Sequence, residues 1–441
     1  MRKTLTRRSF SRPFGRYLNF GSPLIADEQE TIQNRSLREK EAIAPAPRLT
    51  RFPRESSYSK VRTLDALLEV KRAEHNLPAV TALTLQGGRI VAKGETGLRK
   101  VGSAVVVRPA DRWHIGDCGK AMTATMIGAL VEKGTLSWET TVGEALPTLR
   151  ESILPIYHDV TVEMLLRHRA GLVQAYESPA AWRYIWKRAD SAPQHRKKVS
   201  ALMMRDKPAY TPGRQYAYST MGYCIAGHIA ESMTGLCWEQ LMQDYVFGPL
   251  RMTSAGAGTQ QNFQQIASPW GHQRDGVPIE PGLGANQPAA FGPGGGNLHM
   301  SIADWSKFVA DQLKGARGED GLLHPSTYQR LQTGIYTGEK QAYAMGWNVS
   351  DRTWSRLHPD SEGRCLSHSG TILSWYSQVR MSPERDMAVL CATNIGDKNR
   401  GQAISINEKL NDVACAVIRE ALREEVQQEE ALREEAQQKN R

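Results

Sequence analysis

Apolar positions first recur with helical spacing at Leu64, Leu67, Leu68 and Val70, which predicts a helix over 60–76 that lays one face on a core. Val80-Thr-Ala-Leu-Thr-Leu then alternates with period two, Gly87-Gly88 supplies a tight turn, and Arg89-Ile-Val-Ala returns. This reads as a half-buried β-hairpin. From Gly116 to about Gly334 the spacing is helical: Thr161 stands as N-cap before Val-Glu-Met-Leu-Leu, and Gly134 closes an earlier helix. After Gly346-Trp347 strand-like runs return, Trp375 to Met381 and Met387 to Thr393, separated by a turn containing Pro383. Strands at both ends of a helical middle predict one antiparallel sheet drawn from 78–107 and 343–395, flanked by helices at 60–76 and 402–420. The expected class is α/β in the mixed, α+β sense, with an all-helical lobe inserted over 117–330.

The two ends differ from this body. Residues 1–58 show no core pattern and read as a flexible basic arm, the packed domain as 59–415, and 416–441 as a charged helical tail. The tail holds a tandem decapeptide, Ala421-Leu-Arg-Glu-Glu-Val-Gln-Gln-Glu-Glu and then Ala431-Leu-Arg-Glu-Glu-Ala-Gln-Gln-Lys-Asn. Its helix propensity is high and its apolar positions are few, the pattern of a solvated extension, with a weak coiled-coil contact as the alternative. Thr6-Arg7-Arg8-Ser9-Phe10 is similar to a twin-arginine export signal, but Arg12 and Arg16 fall where an apolar stretch should follow. An organelle leader and a misassigned start are equally compatible with these residues, so the compartment is left open.

A chain of 441 residues with 40% hydrophobic and 23% charged residues can bury a sizeable core, which excludes disordered and fibrous classes. The longest apolar runs, such as Ala121 to Val131, fall far short of the roughly 20 residues of a membrane span. The net charge of +10 is concentrated: residues 1–26 carry six basic side chains and no acid, leaving 50 basic against 46 acidic residues elsewhere. No nucleic-acid-binding motif accompanies the arm, so no nucleic-acid partner is expected. The six cysteines, Cys118, Cys224, Cys237, Cys365, Cys391 and Cys415, form no C-x-x-C pair, and neither a metal nor another cofactor is implied.

Three collinear stations carry the chemistry: His114-Ile-Gly-Asp117-Cys-Gly-Lys120, Tyr216-Ala-Tyr218-Ser-Thr220, and Leu366-Ser-His368-Ser369-Gly370-Thr371. Between them stand Leu165-Leu-Arg-His168-Arg-Ala-Gly171-Leu, Val246-Phe-Gly-Pro-Leu-Arg-Met and Tyr343-Ala-Met-Gly-Trp347. Over residues 60–415 this resembles the serine β-lactamase and penicillin-binding-protein superfamily, in particular its class C β-lactamase and esterase-like branch. That family carries Ser-x-x-Lys, Tyr-x-Asn, and Lys-Thr-Gly or His-x-Gly. The resemblance implies Lys120 as the base beside the nucleophile and Tyr218 as a proton relay. It also implies His368 on the cleft wall, as a polar wall residue or as a catalytic acid/base, substrate contacts at Thr220, Ser369, Gly370 and Thr371, and an oxyanion hole from the backbone N–H groups of residues 117 and 371. The ligand class implied is a small acyl, peptide or ester molecule.

Two departures alter the chemistry. Position 117 is Asp where the family has its nucleophilic Ser, and position 220 is Thr where it has Asn. At i, i+3 spacing from Lys120, an aspartate is expected to form an ion pair that keeps the lysine protonated and to cap the following helix. Cys118 should point away, since one helical step turns a side chain by about 100°. Ser219, Ser369 and Thr371 lack a lysine at helical spacing. His168 reads as a packing residue at a helix end, and Gly294-Gly295-Gly296 as a turn before a helix opening at Ser301. A decayed acyl-transfer site that keeps a ligand cleft is therefore set against a working hydrolase of esters, β-lactams or D-amino peptides. The latter would use a substitute nucleophile or a water activated by Asp117.

Overall fold

The computed structural model describes residues 61–187, 191–258, 266–281, 288–337, 341–372, 374–396 and 405–439. The expected N-terminal arm and its signal-like motif lie outside them.

Nine strands form the main sheet: β1 (Arg62–Thr63), β2 (Ala79–Gln86), β3 (Arg89–Gly97), β4 (Ile335–Tyr336), β5 (Ala342–Tyr343), β6 (Asn348–Asp351), β7 (Arg364–Thr371), β8 (Tyr376–Ser382) and β9 (Met387–Thr393). Their order is β1-β3-β2-β9-β8-β7-β6-β5-β4, antiparallel except for β1, which runs parallel to β3. The two ends of the chain thus meet where β2 pairs with β9, Leu83 opposite Leu390. Gly87 and Gly88, with φ of 58° and 72°, make the turn between β2 and β3; two successive positive φ values match the right-handed twist of a hairpin.

Strand β2 is buried along nearly its whole length, not on one face only as its alternation suggests. Val80 and Ala82 pack with Val389 and Cys391 beneath α1 (Asp65–His75) and α5 (Ile406–Lys439). Leu83, Leu85, Ala388 and Leu390 face the opposite layer, containing α2 (Lys120–Glu132) and α4 (Ile302–Ala316). Thr81 can occupy this double-sided strand because its hydroxyl donates to Gly94 O, 3.0 Å away.

Helix α1 starts later than its periodicity predicts, since Arg62 and Thr63 pair instead with Ala92 and Lys93. The Thr63 hydroxyl then accepts the Asp65 N–H at 3.2 Å. The 98–107 stretch adds no strand to the sheet beyond a bridge between Leu98 and Val106. The lobe also contains short strands, so it is not all-helical: Leu298–Met300 pairs with Trp113–His114 and with Gly256–Ala257. Thr161 caps α3 (Val162–Leu166) and Ser301 caps α4 as expected, accepting from Met164 N and Asp304 N at 3.2 Å.

The tail continues one helix of 34 residues, α5. Ile406, Leu410, Val413, Ala414, Val417, Ile418 and Ala421 form its buried seam, so packing runs past residue 415. Glu424 and Glu425 then hold Arg62 and Arg385 at 2.6 and 2.8 Å, and from Val426 onward the described side chains are mostly exposed.

Candidate active site

The turn Gly116–Gly119 leads directly into α2, a helix buried from Lys120 through Gly128 and again at Leu130. Burial on all sides fixes the helix and with it the position of Lys120, whose side chain is 0% exposed. The Lys120 ammonium donates to Asp117 Oδ1, to Gly294 O at 3.0 Å and to Thr220 Oγ1 at 3.3 Å. It also lies 5.0 Å from the centre of the Tyr218 ring and 5.7 Å from that of Tyr223. Asp117, by contrast, keeps 21% of its side chain exposed. Asp117 does not cap α2: the cap position is Gly119, without a side-chain hydrogen bond, because the carboxylate turns toward the lysine.

The second carboxylate oxygen, Oδ2, faces the backbone N–H of Thr371 at 3.5 Å, and the Tyr218 phenol also donates to the carboxylate. Burial pushes the Asp117 carboxyl up, but the Lys120 charge and these hydrogen bonds outweigh it and hold the group below its ordinary value. The same environment pushes Tyr218 well above 10, through burial first and the Asp117 charge second. Tyr218 is therefore a protonated phenol here.

Strand β7 forms the opposite wall. Its alternation sends His368 and Gly370 toward the turn and Ser369 toward α5, where the Ser369 hydroxyl meets Asn407 Oδ1 at 3.5 Å. The strand's period of two thus turns the Ser369 hydroxyl away from Asp117 and leaves its backbone on the wall. Thr371 presents its backbone, since its hydroxyl donates to Trp375 O at 3.0 Å. Gly370 is required by close approach: a Cβ there would lie 2.1 Å from Ile115 O and 2.7 Å from Asp117 N.

His368 Nδ1 lies 2.7 Å from Ser369 O, so Nδ1 carries the proton and Nε2 accepts from the Tyr343 hydroxyl at 3.3 Å. Burial, reinforced by Lys120, lowers its pKa to about 4. His368 is neutral at pH 7, with both nitrogens engaged.

Asp117, Lys120, Tyr218, Thr220, His368, Gly370 and the Thr371 backbone therefore meet at one place, and the Ser369 side chain does not. Three contributors were not assigned to the site from sequence. The Gly294-Gly295-Gly296 loop packs its backbone against the turn, with Gly295 at φ 89° and any Cβ there 2.1 Å from Gly116 O. Three consecutive glycines were the available signal for that approach. Tyr343 positions His368. His168, at φ 55°, lies under Tyr218 with ring centres 4.2 Å apart, and its Nδ1 accepts the Ser219 N–H at 3.2 Å.

The other nucleophile candidates are engaged elsewhere. Cys118 is 2% exposed with its Sγ 3.4 Å from both His368 O and Ser377 Oγ, and burial pushes its thiol far up. The Ser219 hydroxyl donates to Val173 O at 3.0 Å. Among the described residues, one trio with metal-ligand proximity is found, Glu74, His75 and Asp412, but Lys71 already bridges Glu74 and Asp412 at 2.8 and 2.7 Å. No described helix is long and apolar enough to cross a membrane.

Residues 64–408 match the Beta-lactamase family model. Penicillin-binding protein 4 of Amycolatopsis lactamdurans is 27% identical over 332 residues, 74% of this chain and 83% of that protein. Protein flp of Staphylococcus aureus strain MW2 is 20% identical over 339 residues, and the match spans 76% of this chain but only 63% of that relative. Among solved structures, the octameric penicillin-binding protein homologue from Pyrococcus abyssi superposes with a TM-score of 0.60 at 21% identity, covering 75% of this chain and 72% of that one. A D-stereospecific amidohydrolase from Streptomyces sp. superposes at 0.58 and 20% identity, covering 74% and 92%. The family match spans most of the chain and the fold agrees with it: the protein belongs to the beta-lactamase family, within the superfamily that includes the penicillin-binding proteins.

Proposed function

We propose that this family member no longer performs acyl transfer and keeps its cleft as a binding site for a small acyl, peptide or ester-like ligand. What supports this reading is the Asp117 carboxylate in the turn that leads into α2, paired with Lys120, where the motif resemblance implies the family's nucleophile. One oxygen is held by the Lys120 ammonium. The other faces the Thr371 N–H, where the oxygen of an attacked carbonyl would have to sit. A lysine that donates to a carboxylate is no base, and a carboxylate in the oxyanion position repels the charge that acyl transfer develops.

The rival reading, a working hydrolase, finds less support. Cys118 is buried as a thiol, Ser369 points to the other face, and Ser219 is bonded to a carbonyl. A water activated by Asp117 would have to give its proton to a carboxylate held below its ordinary pKa, which makes a weak base.

The test is burst-phase acylation followed by mass spectrometry. The protein as it stands is expected to form no acyl adduct with a β-lactam or an activated ester. Asp117→Ser combined with Thr220→Asn is expected to recover measurable ester turnover, because Lys120, Tyr218 and the backbone donors already surround the position. A stoichiometric adduct on the unmutated chain, mapped to any side chain of the cleft, would overturn the proposal.

A further inference from the structure

The Asp117–Lys120 pair is electrically neutral as a whole but not as seen from the cleft. Lys120 is 0% exposed and Asp117 is 21% exposed, so the pair is a dipole whose negative end faces solvent. The carboxylate also retains acceptor capacity. Its strong partner is Lys120, whereas the Thr220 hydroxyl and the Thr371 N–H stand at 3.5 Å, the outer limit of a hydrogen bond.

Among the described residues that meet at the site, the one cation is Lys120, which lies buried behind the carboxylate. Among the described residues gathered at the site, Thr220, Thr371 and Tyr218 are neutral. His368 spends Nδ1–H on Ser369 O and Nε2 on the Tyr343 hydroxyl. A ligand carboxylate placed here would meet the exposed end of the Asp117 anion, with the Lys120 charge buried behind it. An amine would meet a carboxylate with room for a short, charge-assisted hydrogen bond, flanked by the half-buried Tyr216 and Tyr218.

We infer that the cleft selects ligands that present a protonated amine at Asp117, and rejects their carboxylate-bearing counterparts. This rests on the non-acylating reading above and gives it a ligand class: amine-bearing peptide-like molecules in place of anionic acyl donors.

The experiment compares three probes of nearly one shape by calorimetry at pH 6 and low salt: D-phenylalanine amide, which is cationic, D-phenyllactamide, its neutral hydroxyl counterpart, and D-phenyllactate, which is anionic. The cationic probe is expected to bind about tenfold or more tighter than the neutral one, and the anionic probe weakest, since a single charge-assisted hydrogen bond is worth about that factor. Asp117→Asn, which keeps the shape and removes the charge, is expected to erase the preference. The order of the three probes on the unmutated protein is itself decisive if that variant does not fold. Equal affinities, a preference for the anionic probe, a preference that survives Asp117→Asn, or no saturable binding of the cationic probe up to about 10 mM would each overturn the inference. These outcomes are separate from failure of the underlying reading, which appears as a covalent adduct in the mass spectrum and not as a binding order.

Discussion

Replacing Lys120 by Met keeps most of the buried stem and removes only the ammonium. Three acceptors then lose their donor: Asp117, the Gly294 carbonyl at 3.0 Å and the Thr220 hydroxyl at 3.3 Å. The orphaned carbonyl costs about 1 kcal/mol, and the carboxylate about 2 kcal/mol, less than a fully buried charge because it keeps Tyr218 and some solvent. The expected loss is about 3 kcal/mol. Asp117→Asn leaves the lysine with three neutral oxygens and should cost about 2 kcal/mol. The double variant buries no charge, and its cost is expected to be about 2 kcal/mol, giving a coupling of about 3 kcal/mol between the two positions. Urea denaturation with linear extrapolation measures all three changes. The pH dependence supplies a second sign. Without Lys120, burial is the dominant influence on Asp117 and raises its folded pKa above the unfolded value, so the folded state binds the extra proton and the Lys120→Met deficit shrinks from pH 7 to pH 5. A Lys120→Met change within about 0.5 kcal/mol, or additive single and double variants, would refute the paired, desolvated geometry.

Two further outcomes follow from the wall of the site. Because the folded pKa of His368 is lowered from 6.5 to about 4, the unfolded state binds more protons between those values. Its contribution to stability is therefore complete above pH 6.5 and lost as pH falls. About 2 kcal/mol should disappear between pH 7 and pH 5, and His368→Gln should flatten the measured stability–pH slope by that amount; an unchanged slope would contradict a buried neutral imidazole. Gly370→Ala would place a methyl 2.1 Å from Ile115 O and should cost about 3 kcal/mol or more in the same denaturation assay, whereas Ser369→Ala, on the opposite face, should stay within about 1 kcal/mol and leave ligand binding unchanged.

The ion pair was legible in the sequence because the spacing of Asp117 and Lys120 is local, and a helix start fixes what lies within reach at i, i+3. Cys118 was legible for the same reason: one step along the turn sends its thiol toward Ser377, away from the carboxylate. The direction of the Ser369 hydroxyl was not legible from the motif as a string, because a strand exposes only alternate members of it to one face. The glycine loop at 294–296 was not legible as part of the site. Its partners, Gly116 and Lys120, are distant in sequence, and a run of glycines marks a turn and a close backbone approach equally well. The start of α1 was lost to β1, since pairing of Arg62 with Ala92 is a long-range event that overrides the helical period. In α5 the buried seam merges into the charged repeat without a break, so composition alone could not place the end of packing at Ala421.

The site's shape and its chemistry are specified by different atoms. Gly116, Gly295 and Gly370 bring three stretches of backbone into contact at separations no Cβ could enter, and Gly116 and Gly295 do so at positive φ. These constraints hold whatever side chain stands at 117. The side chain at 117 can therefore exchange a hydroxyl for a carboxylate with little cost to the fold, provided Lys120 is there to neutralise it, while none of the three glycines can change without moving β7 or the turn. It follows that a variant at 117 that still folds, such as Asp117→Asn at its cost of about 2 kcal/mol, interrogates function on an unchanged backbone frame. Variants at the glycines interrogate the frame itself, and a loss of ligand binding in Gly370→Ala would report on the wall and not on the charge that faces the ligand.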